Sequence, residues 1–196
     1  MPRESYYANH LNRNLNETDG LPVISQDLDS IRTYQWEITF YPPAEVEQPG
    51  LFSKPLTLAA KQVNGMEISV EDIEVSRVND KVRYPGKPTY GDLEVTFDNL
   101  IKTKAGFQLF KYFQTVWDPT TGEFGSTFLD NPGAFKTNVE ILELNGQNEP
   151  VDVVKLTGVY PKRWAKAEKN YSQSEFDSVI VQFAYDFIQQ TGDPAN

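Results

Sequence analysis

Alternating apolar and polar positions recur along this 196-residue chain and predict a protein built mainly of β-strands. The clearest alternation covers residues 179–187, where every second side chain is large and apolar, namely Val179, Val181, Phe183, Tyr185 and Phe187. The same period of two predicts strands over residues 34–40, 56–63, 66–78, 93–98, 135–144 and 151–160. Asn64-Gly65 predicts a tight turn between the second and third strands, because both residues tolerate a positive φ angle.

One stretch follows a helical period instead. In residues 105–117, Leu109, Phe113 and Val116 fall on one face, which predicts an amphipathic helix that packs on a sheet. Four strands, a helix and three strands predict a mainly β protein, an antiparallel β-sandwich or barrel with one flanking α-helix. We expect an extended N-terminal arm over residues 1–33, one β-sandwich domain over residues 34–188 and a polar tail over residues 189–196.

The segment between the third and fourth strands combines turn residues with positive charge. Pro85-Gly86 and Pro88 predict a stiff exposed loop. Arg77, Lys81, Arg83 and Lys87 make this loop cationic in a chain with 18 Lys and Arg against 28 Asp and Glu. A cationic loop on an acidic body is suited to docking on another acidic surface, which a second copy of the protein provides.

Composition excludes several kinds of chemistry. The formal net charge of −10 argues against tight nonspecific binding of nucleic acid. The chain has no cysteine and a single histidine, His10, so thiolate sites, multi-histidine metal sites and Ser-His-Asp triads are not expected. Glu71, Asp72 and Glu74 lack the spacing of a calcium loop and are typical of a solvated strand face. We therefore expect no enzyme activity, no metal and no cofactor.

Membrane insertion and secretion are also not expected. No apolar run approaches the length of a membrane span, and the first residues lack the apolar core of a signal peptide. These observations predict a soluble protein that is made in the cytosol.

Three segments, taken in order, resemble the tail-tube proteins of contractile-tail bacteriophages and, more distantly, the tubes of phage-like injection systems and type VI secretion. The first is the aromatic strand at residues 36–40, after a variable N-terminus. The second is Val-Arg-Tyr-Pro-Gly at 82–86 followed by Tyr-Gly-Asp-Leu-Glu-Val-Thr-Phe at 90–97. The third is Gly-Val-Tyr-Pro at 158–161 with the closing strand at 179–186, which ends in Phe-Ala-Tyr-Asp.

This resemblance implies a structural virion protein that forms hexameric rings, stacked into the inner tail tube through which the genome is delivered into the host cell. It implies about four strands per subunit around the lumen. It also implies a place in the virion tail, assembly in the host cytoplasm, and several partners. These are further copies of the chain, the sheath, baseplate, tail terminator and tape measure proteins, and DNA that passes through the lumen without tight binding.

Two groups of side chains follow as candidates for assembly. We expect contacts between subunits, mainly between stacked rings, from Arg77, Lys81, Arg83, Tyr84, Lys87 and Tyr90, with Arg83 and Lys87 reaching acids of a neighbour. We expect a lumen that repels DNA phosphates, lined by Glu67, Glu71, Asp92 and Glu94.

Two other interpretations stay open. A tube-initiating or baseplate-associated protein with the same domain would form a single ring, and the longer N-terminal arm leaves room for that role. An enzyme or a carbohydrate-binding sandwich is compatible with the 13% aromatic content but has no supporting set of polar residues.

Overall fold

A computed structural model describes residues 31–41, 54–102, 104–125, 133–172 and 176–192. Within these residues the chain is mainly antiparallel β-structure with two helices. In chain order the elements are β1 (Trp36–Tyr41), α1 (Lys54–Ala59), β2 (Ala60–Asn64), β3 (Ile68–Ser76), β4 (Lys81–Tyr90), β5 (Leu93–Asp98), α2 (Ala105–Val116), β6 (Trp117–Asp118), β7 (Glu123–Phe124), β8 (Thr137–Leu144), β9 (Pro150–Lys166), β10 (Ser178–Ala184) and β11 (Phe187–Thr191). The predicted arm at residues 1–33 lies almost wholly outside the described residues.

Seven strands form two layers that share β9. Hydrogen bonds join them in the order β1-β8-β9-β10-β5-β2, and β11 also pairs with β9. The first part of β9 pairs with β8 and β11, and its last seven residues pair with β10. We call β1, β8, the first part of β9 and β11 the first layer. The second layer consists of β2, β5, β10 and the last part of β9.

The strand β9 changes layers at Gly158. This residue has a φ angle of +73°, which glycine adopts without the steric cost that a side chain would add. A Cβ atom at Gly158 would also collide with the carboxylate of Asp186, which lies between β10 and β11 and pairs with Lys136 at 2.6 Å. A strand that passes from one layer to the other is the usual way to build such a corner.

Aromatic side chains fill the space between the layers. The Phe40 ring of the first layer lies 5.8 Å from Phe97 and 5.6 Å from Phe183, both of the second layer. Phe97 and Phe183 are fully buried, as are Leu93 and Val95. The alternation that predicted strands in 34–40, 93–98 and 179–187 therefore corresponds to the core-facing positions of β1, β5 and β10, except that Tyr34 and Phe187 lie outside these strands and are exposed. The predicted antiparallel sandwich is confirmed.

Helix α2 closes one open side of the sandwich, as predicted, but it turns a different stripe inward. Leu109 and Tyr112 are buried, whereas the predicted Phe113 and Val116 are only half-buried. The Tyr112 hydroxyl lies 3.1 Å from the Phe135 carbonyl oxygen and 3.0 Å from that of Val159, so the hydroxyl proton is shared by two acceptors. Burial raises the pKa of Tyr112 well above its usual value.

The first prediction concerns this buried phenol. We expect Tyr112→Phe to lower the free energy of unfolding by about 1–2 kcal/mol, because two buried carbonyls lose their donor. The raised pKa of Tyr112 means that its contribution is complete below about pH 10, where an unfolded tyrosine titrates, and is lost as the pH rises further. Urea titrations at pH 7 measure the first effect. Tyr171→Phe, at a fully exposed tyrosine, is the control and should change nothing.

Three segments differ from the sequence-based prediction. Residues 56–59, predicted as the start of a strand, belong to the short helix α1. The described residues therefore contain a second helix in addition to the predicted one. Leu56 and Ala59, three positions apart, share a buried helical face, while Leu58 is 79% exposed. The cationic segment is not a loop, because Lys81–Tyr90 forms strand β4. At the C-terminal end, β11 extends to Thr191, past the predicted domain end at residue 188.

Candidate assembly surfaces

The strands β3 and β4 form a hairpin that extends beyond the rest of the fold. Within the described residues they pair only with each other, in a two-stranded sheet. Every residue of the nine-residue strand β3 is exposed. At roughly 3.3 Å per residue, the hairpin is about 27 Å long. It carries all six residues predicted to make contacts between rings.

The distal half of this hairpin has two different faces. On one face, Lys81 pairs with Glu74 at 2.5 Å, and Arg83 pairs with Asp72 at 3.5 Å. The other face consists of two apolar cross-strand pairs, Ile73 with Tyr84 and Val75 with Val82. The turn that joins the strands presents Val78, which is completely exposed.

Two prolines within β4 explain why this segment resembles a loop in the sequence. Pro85 lies opposite Asp72 and Pro88 lies opposite Val70, so β4 has one more residue than β3 between these pairs. This irregularity is a β-bulge, at which a strand tolerates the missing N–H groups of proline. The exposed outer edge of a two-stranded hairpin tolerates them as well.

The base of the hairpin is fixed to the second layer. The Tyr90 ring lies 5.9 Å from the ring of Tyr185, whose hydroxyl donates to the Glu67 carbonyl oxygen at 3.2 Å. The Gly91 N–H donates to the same oxygen at 2.9 Å. Gly65 at the entrance has a φ angle of +87°, and a Cβ atom there would collide with the Asp92 carbonyl oxygen. Sequence inspection identified the Asn64-Gly65 turn but not its close approach to Asp92.

The six predicted contact residues therefore occupy distinct places on the hairpin. Arg77 lies beside the turn, Lys81 and Arg83 are on the charged face, and Tyr84 is on the apolar face. Lys87 lies in the bulge and Tyr90 at the base. Lys81 and Arg83 have carboxylate partners within the hairpin itself, which the sequence did not reveal because it does not show which residues of the two strands lie opposite each other.

The structure brings together only part of the predicted acidic lumen. Glu94 points to the outer face of the second layer and accepts a hydrogen bond from the Gln182 amide at 2.8 Å. Asp92, at the start of this layer, pairs with Lys162 at 2.7 Å, and the hydrogen bond from Lys162 to Asp92 raises the pKa of Lys162. Glu67 lies at the hairpin base and Glu71 on β3, away from the layer.

The outer face of the second layer carries mostly polar side chains. One row across its four strands consists of Arg163, Gln182, Glu94 and Asn64, and the next consists of Ala165, Ile180, Thr96 and Gln62. The first layer instead exposes the rings of Tyr41 and Phe187. Arg163, Gln182 and Lys162 were not among the predicted lumen residues, although the polar half of the alternation at 179–187 already placed Gln182 on an outer face.

Both edges of the second layer lack a partner strand among the described residues. These edges are β2 and the last part of β9, whose pairing with β8 stops at Val159. Each strand is antiparallel to its neighbour from β2 through β5 and β10 to β9. The two edge strands of one subunit therefore run in opposite directions.

The end of the second layer opposite the hairpin is held by a polar network. The Asn99 side chain donates to Asp177 at 2.7 Å and accepts from the Gly106 N–H at 3.2 Å. The hydrogen bond from Asn99 is the main cause of a lowered pKa at Asp177, and an ion pair with Lys169 adds to it. Around this network lie four exposed apolar side chains, which we call the apolar end: Leu100, Ile101, Phe107 and Phe176.

The described residues contain no group of three or more histidine, aspartate or glutamate side chains that could hold a metal ion. Neither described helix has the length and apolar character needed to cross a membrane.

No protein-family model matches this chain, and no curated protein matches its sequence. Solved structures do match its fold. A chain of the anti-feeding prophage baseplate, six-fold symmetrised, is 13% identical with a TM-score of 0.62, over 84% of this chain and 97% of that one. A chain of the sheath–tube complex of an extracellular contractile injection system is 12% identical with a TM-score of 0.63, over 87% and 100%.

A chain of the anti-feeding prophage tube-terminating cap is 11% identical with a TM-score of 0.62, over 91% of this chain and 100% of that one. At such low identity the similarity establishes the fold. The chain has the fold found in components of contractile injection systems, the fold that its resemblance to tail-tube proteins implies.

Proposed function

We propose that this protein is the subunit of an inner tail tube, in which hexameric rings stack around a lumen that conducts the genome into the host cell. The observation that carries this proposal is the second layer, a four-stranded sheet with an unpaired strand on each edge among the described residues. The similarity to chains of a sheath–tube complex and of a six-fold symmetrised baseplate supports the same role.

The edges of the second layer are suited to closing a ring. Because β2 and the last part of β9 run in opposite directions, β2 of one copy can pair antiparallel with β9 of the next. Six copies would give a barrel of about 24 strands, wider than the 16–18 strands that already leave an open channel. Such pairing also removes sheet edges that would otherwise promote aggregation.

The side chains favour the outer face of the second layer as the wall of the lumen. It is mostly polar, whereas the first layer exposes two aromatic rings. Asp92 and Glu94 belong to this proposed wall, while Glu71 lies outside it. The first layer would then face the sheath, and the ends of the tube would meet baseplate and terminator proteins.

Sedimentation velocity over a range of concentrations tests the proposed assembly. We expect particles of about six times the 22.3 kDa chain mass, followed by larger polymers as the concentration rises. A compact monomer at every concentration, also when a baseplate-like nucleus is added, would show that the edges of the second layer do not join.

A second candidate is a tube-initiating or terminating protein that forms a single ring. The similarity to a chain of a tube-terminating cap favours it. Such a protein would stop at the six-subunit particle, and the larger polymers would be missing.

The second prediction concerns DNA. We expect assembled protein to leave duplex DNA unshifted in a gel at low salt, because the net charge is −10. Near the proposed wall, Lys61 and Lys162 are paired with carboxylates, and Arg163 lies in the same row as Glu94. A change of Glu94 to lysine should introduce salt-sensitive binding, with Glu37→Lys on the first layer as the matched control. Sub-micromolar binding by the unchanged protein would rule out a passive conduit.

A further inference from the structure

The apolar face of the hairpin is exposed to solvent in the single subunit. Ile73 is 54% exposed, Tyr84 is 47% exposed, and Val78 at the turn is 100% exposed. A two-stranded hairpin by itself is only marginally stable in water, and a contiguous apolar surface of this kind usually marks an interaction site. We call Ile73, Val75, Val78, Val82 and Tyr84 the tip face.

The apolar end lies at the opposite end of the same layer. The hairpin connects the end of β2 to the start of β5, whereas Leu100 and Ile101 follow the end of β5 and Phe176 precedes β10. Ile101 is 95% exposed and Phe176 is 91% exposed. The Asn99–Asp177 hydrogen bond holds these two chain segments side by side, so their apolar side chains lie at the same end of the layer.

We propose that the tip face of one copy docks on the apolar end of a second copy in the next ring, an inference that rests on the proposed tube. Strands that line a barrel run at about 35–45° to its axis, so the two ends of the layer face the two neighbouring rings. A contact between different surfaces of identical subunits does not close on itself and therefore propagates as a filament.

One charge near each surface has the opposite sign to the other, although Lys111 also lies 5.7 Å from the Phe107 ring at the apolar end. Arg77 lies beside the exposed turn and has no carboxylate partner among the described residues. Glu168 lines the same concavity as Phe176 at the apolar end, and it too has no cationic partner there. Arg83 and Lys81, by contrast, are already paired within the hairpin. The contact between rings is therefore mainly apolar, with one complementary charge pair at its margin.

Two neighbouring positions on β3 provide a matched test of the tip face. Val75→Glu places a carboxylate on the tip face, and Ser76→Glu places the same carboxylate on the charged face. We expect Val75→Glu to leave single rings but to raise the concentration needed for stacking by at least about tenfold, since a buried unpaired charge is strongly unfavourable. Ser76→Glu should stack like the unchanged protein. Equal stacking by both variants would overturn the inference.

Cysteine cross-linking identifies the surface that receives the tip. The chain has no cysteine of its own, so introduced ones report single contacts. Val78→Cys and Ile101→Cys proteins carrying different tags are mixed, assembled and oxidised. We expect disulfide-linked heterodimers, and only background amounts when Leu58→Cys, at another exposed position, replaces Ile101→Cys.

The other outcomes are equally informative. Cross-links only between two copies of the Val78→Cys protein would indicate a tip-to-tip contact and would overturn the inference. The absence of any cross-link above background in preparations that form tubes would overturn it as well. If sedimentation of the same samples shows only monomers, the proposed tube fails as well, so the two failures are distinguishable. Stacks that survive 1 M salt support an apolar contact, because ion pairs are screened at that ionic strength.

Discussion

Phe183→Ala is expected to lower the free energy of unfolding of the subunit by about 3–5 kcal/mol. Phe183 is fully buried near the end of β10, where its ring lies 5.6 Å from Phe40 and 6.5 Å from Tyr112. It thus contacts the first layer and α2 at once, and neither side can move far to fill the cavity. Because a domain of this size is stable by about 5–15 kcal/mol in total, the loss would be a large fraction.

Denaturant unfolding of the monomer at low concentration measures this loss without interference from assembly. Phe176→Ala is the matched control, because it removes the same atoms from a ring that is 91% exposed. It should change stability by less than about 0.5 kcal/mol. Equal losses for the two variants would mean that Phe183 does not join the two layers and the helix.

Gly65→Ala is expected to destabilise the base of the hairpin by about 2–4 kcal/mol and to impair assembly. Two effects add at this position. The φ angle of +87° is unfavourable for any residue with a side chain, and the new Cβ atom would collide with the backbone carbonyl oxygen of Asp92. A backbone atom cannot swing away as a flexible side chain can, so β5 and the hairpin entrance would have to separate.

Two other glycines separate these effects. Gly122 has a φ angle of +75° but open space around its Cβ position, so Gly122→Ala should show only the cost of the backbone conformation, about 1 kcal/mol. Gly146 has neither a positive φ angle nor a near neighbour, and Gly146→Ala should be close to neutral. If Gly65→Ala were no worse than Gly122→Ala, the close approach to Asp92 would not matter.

Local periodicity was enough to identify most of the core. The alternation at residues 179–187 gave the buried positions of β10, and the helical period at residues 105–117 gave α2 to within one residue of its end. Both signals depend on side chains that are close in sequence. The order of these locally predicted elements was enough to indicate the fold class, mainly antiparallel β with a helix on one open side.

Strand pairing could not be obtained in this way. Asn64-Gly65 predicted a turn between two paired strands, and Gly65 does adopt a positive φ angle, yet β2 pairs with β5 while β3 pairs with β4. The choice of partner depends on contacts between distant residues. The prolines of β4 concealed a strand because their tolerance depends on a bulge and an exposed edge, which are properties of the pair and not of either strand.

For the candidate assembly residues, too, the sequence indicated the local features but not the contacts between strands. Composition and turn residues located the exposed cationic segment, but they did not show that Asp72 and Glu74 lie opposite Arg83 and Lys81. Once these pairs are recognised, the opposite face becomes the more suitable contact surface. The apolar end was also missed, because Leu100 and Ile101 lie next to predicted elements and resemble core residues in the sequence.

Electron microscopy of the purified protein at high concentration tests the central claim most directly. The account predicts six-fold rings that stack into hollow tubes, with an open lumen in end-on views. Rings without stacking would favour a tube-initiating or terminating protein. A field of single subunits at every concentration, with or without a nucleating baseplate component, would contradict assembly through the edges of the second layer and with it the proposed function.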